Sequence, residues 1–179
     1  MTSDADSFMA QALALAEQAR PICPPNPAVG CVLVSASGQV IGTGHTQPTG
    51  QAHAEVMALR DAAARGHATA GATAYVTLEP CAHQGRTGPC ADALVRAGVA
   101  RVVAALQDPN PRVAGQGFAR LRAAGVDVQV GPGADASREL NLGFFSRMQR
   151  GRPWLRLKVA ASLDGRTALP NGASQWITS

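Results

Sequence analysis

Aromatic side chains are scarce: two Trp, one Tyr and four Phe make up 4% of 179 residues. A core of this size must therefore be filled by Ala, Val and Leu rather than by rings. Charge is also thin, with Asp, Glu, Lys and Arg at 16%. Residues 1–137 hold nine Arg against ten acids, whereas residues 138–179 hold six Arg and one Lys against two acids. The net charge of +4 thus sits in the tail. The body has no Lys/Arg block of the kind that neutralises many phosphates, which argues against a nucleic-acid polymer as partner. No apolar run approaches the roughly 20 residues that span a bilayer. The N-terminal stretch lacks a basic leader and carries Asp4 and Asp6. It reads as a helix start, and the chain as a soluble, cytoplasmic protein without a membrane partner. In that compartment four cysteines are metal-bound or buried thiols rather than disulfides.

Hydrophobic residues make up 46%, and the length suffices for one well-buried domain and a little more. Ala and Leu repeat through residues 7–20, a helix that ends at Pro21. "PPNPAVG" breaks the chain. Val29–Val34 and Gln39–Thr43 flank "SASG", a hairpin pattern. "HAEVMALRDAAARG" reads as a helix closed by Gly66. Strands follow at "ATAYVTLE", "ARVVAALQ" and "VDVQVG". They alternate with helices at "CADALVRAG" and "FARLRAAG", and one polar helix covers residues 135–150. This order predicts a three-layer α/β/α domain over residues 1–150, with a mixed sheet of about five strands. The pattern restarts in residues 151–179. There Leu155, Leu157 and Val159 alternate with Arg156 and Lys158, a strand signature. One strand cannot bury a core alone. Residues 154–161 would instead expose an apolar edge, through which the chain could form a homo-oligomer.

"LEPCAHQGRTGPC", residues 78–90, poses the chemical question. Cys81 and Cys90 stand nine positions apart, wider than the two to four of most close-set metal pairs. They could be a metal pair with an inserted loop, a redox pair or two unrelated thiols. "HAEV", residues 53–56, is weak alone, since His-x-Glu is common on helix surfaces. Together, His53, Cys81 and Cys90 supply three zinc ligands of the right softness. Three protein ligands leave a fourth position open, the catalytic arrangement. Helix starts near both cysteines favour thiolates. Glu55 is then spare, and could serve as general base and acid.

The zinc deaminases carry H-x-E…P-C-x-x-C, and here Cys81-x₈-Cys90 replaces the short pair. The long form resembles the deaminase domain of the bifunctional riboflavin-biosynthesis deaminase/reductases. "PNPAVGCVLV", "GTGHTQPTGQAHAEV" and "LKVAASLDGRTALPNGASQWITS" resemble the same family, so the likeness runs nearly the whole chain. It implies a cytidine-deaminase-like fold for residues 1–150. For residues 151–179 it implies the opening of a dihydrofolate-reductase-like reductase domain, too short here to give reductase activity. The implied activity is hydrolytic removal of an amino group from 2,5-diamino-6-ribosylamino-4(3H)-pyrimidinone 5′-phosphate, with Zn²⁺ as cofactor and Glu55 carrying protons.

By the same resemblance Asn26 contacts the pyrimidine, while His45, His83 and Arg86 lie near the phosphoribosyl group. A loop Arg suits a phosphate monoester. In the reductase segment the family pattern places Ala160 and Trp176 at an NADP site and Ser174 by the substrate. NADP(H) would be served only by a complete reductase domain. The alternatives are another cytidine-deaminase-like nucleobase or nucleoside deaminase, or an inactive zinc- or nucleotide-binding fragment. The long Cys–Cys insert weighs against the first, and Glu55 against a purely structural zinc. Cys31, in an apolar run, reads as a core thiol; Cys23 as a partly buried loop thiol; His67 as exposed.

Overall fold

A computed structural model describes residues 4–84, 88–111 and 113–174. Helix α1 (Asp4–Ala19) opens the chain, followed by strands β1 (Gly30–Val34) and β2 (Val40–His45). Helix α2 (Ala54–Ala64), β3 (Thr73–Val76), α3 (Cys90–Arg96) and β4 (Arg101–Ala104) come next. Then follow α4 (Gln116–Ala123), β5 (Asp127–Val130), α5 (Ala134–Leu140) and α6 (Leu142–Arg150). The expected α/β class and five strands are present.

The sheet order is β2-β1-β3-β4-β5. β1 runs antiparallel to β2 and β3, while β3, β4 and β5 run parallel. All five residues of β1 are buried, as expected of a strand covered on both faces. Its register explains how. Gly30 pairs with His45, and Cys31 with Gly44, so neighbouring pairs point to opposite faces. Gly30 faces α1: a Cβ there would meet the backbone of Ala12 and Ala16. Gly42 and Gly44 face α2 and lie against Ala54, Ala58 and Ala62, spaced one helical turn apart. This seam of glycine on alanine has almost no side-chain volume, so α2 sits close on the sheet. Helix α5 joins α1 on one face, and α3 and α4 join α2 on the other. The interior is built from Ala, Val and Leu, as the scarcity of rings requires. Each fully buried Leu or Val stabilises by about 1.5–3 kcal/mol.

Two expectations change. The single helix expected over 135–150 is two, α5 and α6, broken at Asn141. The Asn141 side chain turns inward: Oδ1 accepts from Ala28 N at 2.7 Å, and Nδ2 donates to Ala28 O at 2.9 Å. A distant loop thus takes the side chain, and local helix propensity yields. Residues 154–161 alternate as a strand would, but they join no strand of the sheet and form none. Leu155 is 89% exposed and Leu157 83%. A strand exists only through ladder hydrogen bonds, and neither edge strand, β2 nor β5, pairs with these residues. Cys31 and Cys23 are both buried, Cys23 more fully than expected, and His67 is half-buried. No helix among the described residues is long and apolar enough to cross a membrane.

Candidate metal centre

His53 is the N-cap residue of α2. Its backbone is extended (φ −79°, ψ 168°), and its ring makes no capping bond. The imidazole is therefore free to point at the loop after β3. There Cys81 follows Pro80, and Cys90 begins α3. His53 Nδ1 lies 3.3 Å from Cys90 Sγ and 3.6 Å from Cys81 Sγ. All three ligand atoms fall within 4.8 Å of one another, the one such cluster among the described residues. Ala91 N donates to Cys81 O at 3.1 Å, which ties the two cysteines together across the nine-residue spacing. The Cys90 N–H, at the start of α3, donates to Cys81 Sγ at 3.4 Å.

These contacts set the protons. The Cys90 thiol and the His53 ring hold Cys81 far down, at about 4. Cys90 moves the other way, pushed up by the Cys81 sulfur and by burial. His53 is raised by its bond to Cys81. The arrangement fits Zn²⁺. Zinc–sulfur bonds of about 2.3 Å and zinc–nitrogen bonds of about 2.0–2.1 Å give tetrahedral S···N edges of roughly 3.5 Å. The observed edges of 3.3 and 3.6 Å bracket that value. The donor set is soft, and a bound cation displaces the last thiol proton.

Glu55 lies outside the three-ligand cluster and is 4% exposed. Burial, with help from the Cys81 charge, raises its carboxyl to about 7. That is the range in which a carboxyl group both accepts and releases protons near neutrality. His53, Glu55 and Cys81 line a cavity of about 400 Å³, large enough for a small ligand.

Of the sequence-predicted site residues, Asn26 and His83 also line this cavity. His45 does not; its backbone pairs with Gly30, whose face is that of α1. Ala160 and Ser174 are exposed in the C-terminal segment, away from it. Arg86 and Trp176 lie outside the described residues. The cavity also contains residues that sequence reasoning passed over. Asp108 and Asn110 enter from the loop after β4, and Phe144, Arg147 and Met148 from α6. Asp108 is 7% exposed, and burial raises its carboxyl to about 6. A signal existed: "DPNP" follows a parallel strand directly, and ligands of α/β sheets bind beyond the carboxyl ends of strands.

Residues 2–106 match the family described as the cytidine and deoxycytidylate deaminase zinc-binding region. The chain is 57% identical over 172 residues to the riboflavin biosynthesis protein RibD of Escherichia coli K12, covering 96% of this chain and 46% of that one. It superposes on Acinetobacter baumannii RibD with a TM-score of 0.89 at 52% identity, covering 98% of this chain and 48% of the other. For the Thermotoga maritima diaminohydroxyphosphoribosylaminopyrimidine deaminase/5-amino-6-(5-phosphoribosylamino)uracil reductase the TM-score is 0.92 at 38% identity, over 98% and 50% of the two chains. The chain spans about half the length of these relatives.

Proposed function

Because the chain belongs to the cytidine and deoxycytidylate deaminase zinc-binding family, we propose that it catalyses the deaminase step of riboflavin biosynthesis. The reaction is hydrolysis of 2,5-diamino-6-ribosylamino-4(3H)-pyrimidinone 5′-phosphate at C2, giving 5-amino-6-ribosylamino-2,4-pyrimidinedione 5′-phosphate and ammonia. The carrying observation is one buried carboxyl group, Glu55, left out of a His/Cys/Cys cluster but opening into the same cavity. His53, Cys81 and Cys90 would hold Zn²⁺, which when bound supplies a Lewis acid that acidifies water.

The chain's own groups do the rest. Glu55 takes a proton from the attacking water and passes it to the ring nitrogen beside C2. It then passes the second proton to the departing amine, so that a C–O bond replaces the C–N bond. A carboxyl group held near neutrality suits both transfers. Asn26, on the loop held by Asn141, supports the pyrimidine. His83, with Arg86 from the same loop, supports the phosphoribosyl group.

Residues 1–150 form the deaminase domain in this reading, and residues 151–179 open the reductase domain. The support is a likeness to chains twice as long, together with exposed Leu155, Leu157 and Val159 that want a partner surface. Ala160 and Trp176 would then face NADP(H), and Ser174 the reductase substrate. The partner of residues 1–150 is a small pyrimidine nucleotide.

The test is ammonia release from the diaminopyrimidine phosphate, with zinc content measured alongside. The parent should release ammonia, and Glu55→Gln should keep its zinc while losing about 10²–10⁴-fold in rate. A parent that holds zinc yet releases no ammonia would refute the proposal.

A further inference from the structure

Glu79 sits two residues before Cys81, is 4% exposed and lines the same cavity, yet it is not one of the three clustered metal-ligand groups. Its carboxyl group accepts four backbone N–H bonds from one distant stretch of chain. Oε2 accepts from Asp108 N at 3.1 Å and Gly115 N at 2.9 Å. Oε1 accepts from Gly117 N at 2.9 Å and Phe118 N at 3.2 Å. The last two donors belong to the first turn of α4, whose N–H groups lack partners within the helix. The Glu79 N–H in turn donates to Leu106 O at 3.0 Å. Gly117 completes the fit: a Cβ there would come within 1.9 Å of Pro80 O. Both ends of the segment from Asp108 to Phe118 are therefore fastened to one side chain. Asp108 at one end, with Asn110 and Val113 beyond it, lines the same cavity as His53 and Glu55.

We infer that Glu79 is a positioning residue, fixing the cavity wall formed by Asp108, Asn110 and Val113 relative to the metal-bearing loop. This rests on the proposed deaminase reading. Glu79 lines the cavity too, but both of its carboxylate oxygens are taken up by these four backbone N–H donors. Its effect is on substrate binding, through the wall it fastens.

The experiment compares the zinc-loaded full chain with its Glu79→Gln variant. Gln keeps the shape but turns one oxygen into an NH₂ group, which must face two N–H donors in either orientation. Zinc content should stay at the parent value. Amide hydrogen exchange at one pair, Asp108 and Gly115 or Gly117 and Phe118, should quicken by about tenfold or more, with β4 amides unchanged. The KM for ammonia release should rise about tenfold while kcat changes by less than about threefold. Unchanged exchange across residues 108–118 would overturn the inference. So would quickened exchange with an unchanged KM, or a loss confined to kcat. Should Glu79→Gln fail to fold, Gly117→Ala asks the same question by wedging the segment off Pro80, with the same expected exchange and KM. A parent without activity would sink the deaminase reading alone, and the exchange measurement would still decide whether Glu79 holds the wall.

Discussion

The seam between α2 and β2 makes Gly44→Ala a sharp test of how the fold places the chemistry. A Cβ at position 44 would lie 2.4 Å from Ala58 N, 2.5 Å from Ala54 O and 2.6 Å from Met57 Cβ. Ordinary contacts begin at about 3.5 Å, so helix and strand must part by about 1 Å. Two of the three obstacles are backbone atoms and cannot rotate aside. Overpacking of this kind costs about 1–3 kcal/mol. For a domain near 150 residues that lowers Tm by about 3–10 °C. His53 and Glu55 sit at the N-terminal end of α2, beside Ala54. A 1 Å displacement of reacting groups can cost about 10²-fold in rate. Thermal unfolding and ammonia release, measured on the same preparation, read the two effects. Gly143→Ala is the control, because a Cβ there meets nothing within 4 Å and a helical Ala is favoured over Gly by about 1 kcal/mol. A Gly44→Ala protein with Tm within about 1 °C of the parent and undiminished activity would refute this account of the seam.

Three other outcomes follow from the geometry. With zinc chelated, Cys81 should be the first thiol alkylated at about pH 6, since its neighbours hold it at about 4 while Cys23 and Cys31 are buried; added zinc should block the reaction, and mass spectrometry showing Cys31 modified first would contradict the assignment. Asp108 ionises near 3.8 when unfolded but at about 6 in the fold, mainly through burial. The unfolded chain therefore gives up this proton first as pH rises. Asp108 costs nothing below about pH 4 and removes up to about 3 kcal/mol of stability by about pH 6; Asp108→Asn should flatten that part of a urea-unfolding profile, and an unchanged slope would exclude it as the cause. Asn141→Ala strips the buried Ala28 N–H and C=O of their partners, at about 1–3 kcal/mol for each group left unsatisfied. It should lower Tm and weaken substrate binding through the Asn26 loop; a stable variant with the parent's KM would show that the loop needs no such brace.

The cluster of His53, Cys81 and Cys90 was legible because its side chains are chemically restrictive: one imidazole and two thiols in one motif leave few other readings. The strands and helices around them were legible from period and punctuation. What escaped depends on contacts across long separations. Asn141 looks like an ordinary helix residue until Ala28, 113 positions away, claims its amide. Asp108 and Asn110 resemble turn formers, and the sheet order brings them to the cavity wall. The alternation of Leu155, Leu157 and Val159 describes a strand's side chains but contains no information about a partner. Glu79 reads as part of a metal motif, whereas its hydrogen bonds reach another loop.

The matched family region ends at residue 106, yet much of the cavity wall comes after it, from Asp108 through Met148. The groups that would hold metal and move protons are thus written in one stretch of chain, together with Asn26 and His83, and the next stretch adds a further part of the wall. An exchange of the later stretch between related chains would change what fits while leaving the metal ligands untouched. Conversely, residues 2–106 grafted alone would carry their ligands into a cavity open on one side. Part of the cavity's shape can thus be exchanged separately from the His/Cys/Cys cluster and Glu55.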